Sequence, residues 1–189
     1  MQMDIFLLRH AETLSNQEGR LSSGMDDTLT ALGCEQAHAI VSGLLSLRLD
    51  AILCSPLSRA VKTVQPFLDA SSLPFEIHPC LAEGQLVLTS EVPLMPVGYQ
   101  RLSSGVPVPC SDESPGAFLQ RVEHAKDLLL SQQYPRILVV THGHMIRELL
   151  NSFLALPSKT RFAHHNCGLT HLSIGEQVTV GFVNRPLIP

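Results

Sequence analysis

Four short stretches of this chain hold residues able to handle an anion. Arg9-His10 follows the apolar run Ile5-Phe6-Leu7-Leu8, and Arg59 follows Ser55-Pro56. Glu83 closes Leu81-Ala82-Glu83, and Thr141-His142-Gly143-His144 ends a β-branched run that starts at Arg136. An arginine guanidinium is a planar, permanently charged fork of donors that matches phosphate oxygens. A neutral histidine can attack phosphorus with one ring nitrogen if the other donates to a fixed acceptor. A second histidine can donate to the phosphoryl oxygens as charge redistributes. A helix starting after Gly143 adds backbone N–H donors and a favourable dipole. The leaving alkoxide needs a proton, which Glu83 could supply. The set suits phosphoryl transfer.

For these residues to meet, each must sit at the end of a strand. Met3 to Leu8 is apolar at every position save Asp4 and predicts a strand buried on both faces. Asp50 to Cys54, Phe75 to His78 and Arg136 to Thr141 predict further strands. Leu169 to Ile174 and Val178 to Val183 alternate around Gly175-Glu176-Gln177, the pattern of a hairpin. Helices are expected from Thr30, with apolar residues recurring to Leu47, and from Ser55-Pro56 as N-cap and first turn. Pro66 is expected to bend or end the latter helix early. Others are expected from Ser114-Pro115 to Gln133 and after Gly143. Thr13 to Asp27 is too polar for a core element.

Strand and helix alternation predicts an α/β fold: a three-layer α/β/α sandwich with a mainly parallel central sheet and a C-terminal hairpin. In such sheets ligands bind beyond the carboxyl ends of the strands, where Arg9, His10, Arg59, His142 and Glu83 would gather. The chain reads as one domain over residues 1–189. A proline-rich cap or lid insertion is expected at about 84–116, with Pro93, Pro96, Pro107, Pro109 and Pro115 breaking regular structure.

Composition narrows the setting. Apolar residues make up 44 % and charged residues 16 %, with a net charge of −4. There is no basic footprint for nucleic acid and no polybasic membrane patch. No apolar run approaches the roughly 18 residues of a spanning helix. Five scattered cysteines without a C-x-x-C pattern suit a reducing, cytoplasmic location.

Taken singly, each candidate has a plainer account. A histidine at a strand end is ordinarily a hydrogen-bonded structural residue, Arg59 a helix surface charge, and Glu83 a solvated loop acid. His142-Gly143-His144 has the H-x-H spacing of half a metal site, but too few carboxylates lie nearby to complete one, and the close pair Asp26-Asp27 reads as loop. His164-His165 reads as a solvent-facing pair. No nucleotide-binding glycine loop and no G-x-S-x-G elbow occurs. A metal-dependent hydrolase and a non-catalytic phosphate-binding module stay open on these residues alone.

The order of the motifs adds a resemblance. Leu7-Leu8-Arg9-His10-Ala11-Glu12-Thr13 with Asn16 resembles the opening motif of the histidine phosphatase superfamily, the phosphoglycerate mutase-like proteins. Leu29-Thr30-Ala31-Leu32-Gly33 with Glu35-Gln36-Ala37 resembles its L-T-x-x-G-x-x-Q-A segment. Cys54-Ser55-Pro56-Leu57-Ser58-Arg59-Ala60 with Thr63, Leu81-Ala82-Glu83, and Val139-Val140-Thr141-His142-Gly143 resemble three more, in order. The resemblance implies His10 as the phosphorylated nucleophile, with Arg9, Arg59 and His142 holding the phosphoryl group. It implies Glu83 as proton donor and then base, and Asn16, Ser22, Ser23 and the Gly143 backbone as phosphate or substrate contacts. It implies a small phosphorylated substrate and neither metal nor cofactor. Ala11 replaces a frequent glycine, Leu21-Ser22-Ser23-Gly24 departs from the usual loop, and the chain has no tryptophan where the family often carries W-E-G. Phosphatase and mutase share the phosphoenzyme. Arg101 is the only Lys or Arg between residues 84 and 116, too few cations for a bisphosphate, which favours a phosphatase over a mutase. Sequence leaves the oligomeric state open.

Overall fold

The computed structural model describes residues 2–19, 27–84, 99–101, 107–109, 113–158 and 160–187. In chain order the elements are β1 (Met3–Arg9), α1 (Leu14–Gln17), α2 (Ala31–Ala39), α3 (Val41–Ser46), β2 (Ala51–Cys54) and α4 (Ser58–Asp69). Then come β3 (Phe75–Ile77), a 3-10 turn (Pro79–Leu81), β4 (Tyr99–Arg101), β5 (Pro107–Pro109) and α5 (Pro115–Leu130). The last are β6 (Arg136–Thr141), α6 (Gly143–Phe153), β7 (Gly168–Ile174) and β8 (Val178–Pro186). Six strands form one sheet in the order β3-β2-β6-β1-β7-β8, while β4 and β5 pair separately. The first four strands of that order run parallel, and β7 and β8 are antiparallel.

Alternation along the central strands builds two apolar layers. Ile5 and Leu7 of β1, Leu53 of β2, and Ile137 and Val139 of β6 face α5 and α6. Phe6 and Leu8, Ile52 and Cys54, and Leu138 and Val140 face the layer of α2, α3 and α4. Both faces are covered, so these strands are apolar at nearly every position. Each such side chain contributes about 1.5–3 kcal/mol on burial. That is enough to lock strand register, because a slip by one residue exchanges the two layers.

Local details depart from the sequence expectation in ways that packing explains. The helix after β2 starts at Ser58, and its N-cap Leu57 has no side-chain cap. The Ser55 hydroxyl is engaged elsewhere: it lies 2.7 Å from His142 Nε2 and accepts the Leu57 N–H at 3.2 Å. Pro66 does not end α4, which continues to Asp69. Phe67, one residue later, is buried in the apolar layer, and that burial offsets the lost helix bond. The helical run from Thr30 divides at Ile40 into α2 and α3, and Leu32 is 49 % exposed rather than inward. Within Thr13 to Asp27 a short helix, α1, does form, closed by a capping box between Thr13 and Asn16. Most of the 84–116 insertion lies outside the described residues.

Gly33 sets how closely α2 approaches the segment after His10. Thr30 caps α2 by accepting the Gly33 N–H at 2.9 Å, donates to Glu12 Oε1 at 2.8 Å, and its N–H reaches Glu12 O at 3.0 Å. A Cβ on Gly33 would stand 2.1 Å from Glu12 O, a backbone atom that cannot give way cheaply. Gly33→Ala is therefore expected to cost about 1–3 kcal/mol, read as a lowered urea midpoint. Cys34→Ala, at the exposed neighbouring position, should stay within about 0.5 kcal/mol of the parent. Equal midpoints for the two variants would refute the close approach.

Candidate active site

Three neighbouring strands, β2, β6 and β1, end at one rim, and the ladder continues past their ends. His10 donates its backbone N–H to Thr141 O at 3.0 Å, and Ser55 donates to Val140 O at 2.9 Å. The side chains at these ends are thus fixed relative to one another by main-chain bonds. The His10 and His142 rings lie 5.2 Å apart, tilted by 56°. Arg59, in the first turn of α4, is fully buried beside them.

Each ring has a defined tautomer. His10 Nδ1 is 2.8 Å from the Ala11 carbonyl, an atom that only accepts, so Nδ1 carries the hydrogen and Nε2 the lone pair. Burial, then Arg59 and Arg9, push the His10 imidazole down to about 3 from its ordinary 6.5, so the ring is neutral at pH 7. His142 Nδ1 accepts from Arg59 Nε at 3.3 Å, which leaves Nε2–H to donate to Ser55 Oγ at 2.7 Å. Burial and then the Arg59 charge lower its pKa well below 6.5 as well.

The cations are held from behind. Arg9 Nη1 donates to the His164 carbonyl, and Gly143 faces the Arg9 guanidinium, where a Cβ would lie 3.6 Å from Nε. Burial lowers the pKa of Arg9 and of Arg59, and the Glu83 carboxylate partly restores both. Glu83 sits at the N-terminus of α6. Its Oε1 accepts the Gly84 N–H at 3.0 Å and the Met145 N–H at 3.2 Å, and its Oε2 accepts the His144 N–H at 3.3 Å. The α6 dipole favours a carboxylate at this position.

His10, Arg9, Arg59, His142, Glu83 and Gly143 are thus brought to one rim. Asn16 adjoins them through Asn166, whose Nδ2 reaches both His10 O at 3.0 Å and Asn16 Oδ1 at 2.8 Å. Ser22 and Ser23 lie outside the described residues. Among the described residues no group of three or more His, Cys, Asp or Glu is placed to hold a metal ion, so the H-x-H pair His142 and His144 gains no third ligand there. The expected solvent-facing pair His164-His165 divides. His165 is exposed, whereas both ring nitrogens of His164 are buried with no hydrogen-bond partner among the described residues, and burial with Arg9 lowers its pKa to about 4.

Several supporting residues escaped single-residue reading. Thr63 donates to Arg59 O at 2.7 Å and accepts the Ala11 N–H at 2.8 Å, tying α4 to the segment after His10. Asn166 is 156 positions from His10, and nothing local marks it. Arg121 carries a signal in hindsight: a charge at i+3 from Phe118 and i−4 from Ala125, on the inward stripe of α5.

Comparison with known proteins places this site in a family. Residues 5–181 match the model of the histidine phosphatase superfamily, branch 1. The chain belongs to the histidine phosphatase superfamily. It is 32 % identical over 166 residues, 83 % of this chain and 82 % of the relative, to the adenosylcobalamin/α-ribazole phosphatase of Escherichia coli K12. It is 26 % identical over 182 residues, covering 90 % of this chain and 84 % of the relative, to a protein of Erwinia tasmaniensis named "Probable phosphoglycerate mutase GpmB". The crystal structure of the α-ribazole phosphatase of Shigella flexneri superposes with a TM-score of 0.76 at 26 % identity, covering 99 % of this chain and 98 % of that one. The superfamily transfers phosphoryl groups through a phosphohistidine, and its architecture is the one described above.

The buried neutral histidines of this superfamily member set a pH signature. His10 has its folded pKa lowered to about 3, so between about 3 and 6.5 the unfolded chain binds one proton more than the folded chain there. Stability therefore falls as pH drops below about 6.5, by about 1.4 kcal/mol per pH unit from His10, and His142 acts with the same sign. His10→Asn should flatten the slope of unfolding free energy between pH 6.5 and 5 by about that amount. Urea titrations at stepped pH read it, and an unchanged slope in the variant would contradict the neutral buried ring.

Proposed function

We propose that this protein is a phosphomonoester phosphatase that forms its phosphohistidine on His10. The observation that carries the reading is the His10 tautomer: Nδ1–H bound to Ala11 O, Nε2 neutral and open to phosphorus, two arginines beside it. In the first step His10 Nε2 attacks phosphorus and the bond to the leaving oxygen breaks. Arg9, Arg59 and the Gly143 N–H take the phosphoryl oxygens, and the His142 Nε2–H, resting on Ser55, is a donor that such an oxygen can take over. Glu83 enters this step protonated, because the charge of the bound phosphate dianion opposes that of a carboxylate beside it, and it gives that proton to the leaving oxygen. In the second step Glu83 takes a proton from water, the water oxygen attacks phosphorus, and Nε2 departs with the electron pair. Asn16 contacts the phosphoryl group from the α1 side, and Ser22 and Ser23 contact the substrate. The cap expected at about 84–116, most of it outside the described residues, belongs to this reading as part of a single domain.

The substrate is a small phosphorylated molecule rather than nucleic acid, since the chain has a net charge of −4 and pI near 6.1. No helix among the described residues is long and apolar enough to cross a membrane. The described cysteines are free, which suits a cytoplasmic setting. The relative named as a mutase favours a second reading, phosphoryl transfer between hydroxyls of a phosphorylated metabolite, through the same first step.

A screen over sugar phosphates, phosphoglycerates, nucleotides and phosphopeptides should reveal hydrolysis inhibited by vanadate. His10→Ala should lower kcat by at least about a thousandfold, the scale on which loss of a covalent nucleophile acts. Incubation with 3-phosphoglycerate and a trace of its bisphosphate separates the two readings: isomerisation faster than phosphate release would establish the mutase and overturn the phosphatase. Activity lost to chelation and restored by zinc would overturn both.

A further inference from the structure

The acid that serves the leaving oxygen must be aimed as firmly as the nucleophile, and the backbone that carries Glu83 is gripped at four consecutive carbonyls. Cys80 O accepts from Arg121 Nη1 at 2.9 Å, and Leu81 O from Thr141 Oγ1 at 2.6 Å. Ala82 O accepts from Arg121 Nη1 at 2.6 Å, and Glu83 O from Arg121 Nη2 at 3.2 Å. The remaining N–H groups of Arg121 go to Glu113: Nε to Oε1 at 2.7 Å and Nη2 to Oε2 at 2.6 Å. All five guanidinium hydrogens are thereby assigned, and the Phe118 ring covers one face of the cation at 5.0 Å. Phe118 also backs Gly84, where a Cβ would stand 2.6 Å from the ring. The chain segments on either side of residues 85–112 thus converge on one side chain of α5.

Such an arrangement is hard to account for by stability. Burying an arginine and a glutamate costs several kcal/mol per ion, and a pair of this kind is commonly matched or exceeded by apolar residues of similar volume. What apolar residues cannot do is hold three carbonyls of one turn in a fixed fork, and lysine, with a single nitrogen, cannot span them either. We propose that Arg121 is a positioning residue for Glu83. It fixes the backbone from which the carboxyl reaches the leaving oxygen, and Glu113 balances and orients its charge. This rests on the reading of Glu83 as the proton donor.

The test varies the leaving group, because only a poor one needs the acid. p-Nitrophenyl phosphate releases a phenolate that departs unprotonated, whereas an alkyl phosphate releases an alkoxide that does not. kcat/KM reports the steps through leaving-group departure, so it isolates the step in which Glu83 acts as acid. Glu83→Gln should lower kcat/KM for the alkyl phosphate by about a hundredfold or more while p-nitrophenyl phosphate falls less than about tenfold. Arg121→Lys should reproduce that selectivity in weaker form, about 10- to 100-fold against about threefold. Glu113→Gln, which keeps the shape but removes the balancing charge and sets an amide N–H against one guanidinium N–H, should show the same sign by about 3- to 10-fold and serves if Arg121→Lys fails to fold. Equal losses on both substrates in the variant that folds would overturn the positioning role and leave Arg121 as a fold residue only. Loss of leaving-group dependence in Glu83→Gln itself would instead overturn the assignment of the acid, a result distinct from the first.

Discussion

The hydrogen bond from His10 Nδ1 to the Ala11 carbonyl, 2.8 Å long, decides which ring nitrogen is a donor and which carries the lone pair. The rest of the site is arranged so that this bond cannot rotate away. Ala11 is held by Thr63, Thr63 holds Arg59 O, and Glu12 is held by Thr30 and by Gln36, whose Oε1 accepts the Glu12 N–H at 2.9 Å. On the other side Asn166 and the Cys167 N–H meet the carbonyls of Arg9 and His10. The His10 ring, the proposed nucleophile, is oriented by main-chain atoms whose own positions follow from strand order, which is a stiffer device than a side-chain carboxylate.

Electrostatics reinforce the same choice. Burial first, and then the charges of Arg59 and Arg9, keep both rings neutral, since a third positive charge would be added to a desolvated cluster. A phosphate dianion entering this rim meets fixed cations and loses little of the stabilisation it had in water, because the donors need no reorganisation. Glu83 adds a negative charge at the edge of the cluster, close enough to offset part of the cost of burying Arg9 and Arg59. The α6 N-terminus in turn supplies the N–H groups that hold Glu83.

Much of this was legible in the order of residues, and the exceptions have physical reasons. The strands ending at Arg9, Cys54 and Thr141 are legible because they are buried on both faces and so are apolar at nearly every position. Arg9, His10, Arg59 and His142 followed from their places at those ends, and five motifs in order named the family. Ser55 predicts a helix cap because a serine before proline has that role by default; its use by His142 depends on a strand more than eighty residues away. The intrinsic cost of Pro66 predicts an early helix end, and the burial of Phe67 outweighs it. Asn166 has no local mark, and Arg121 shows only as a charge on the inward stripe of α5, because the backbone carbonyls they hold leave no trace in side-chain patterning.

The central claim is that phosphorus bonds to His10 Nε2. The direct measurement is a rapid acid-free quench of the enzyme during turnover of a 32P-labelled phosphomonoester, followed by peptide mapping. An acid-labile, alkali-stable label on His10, absent from His10→Ala, is the predicted result. A label on any other residue, or full turnover by His10→Ala, would contradict it.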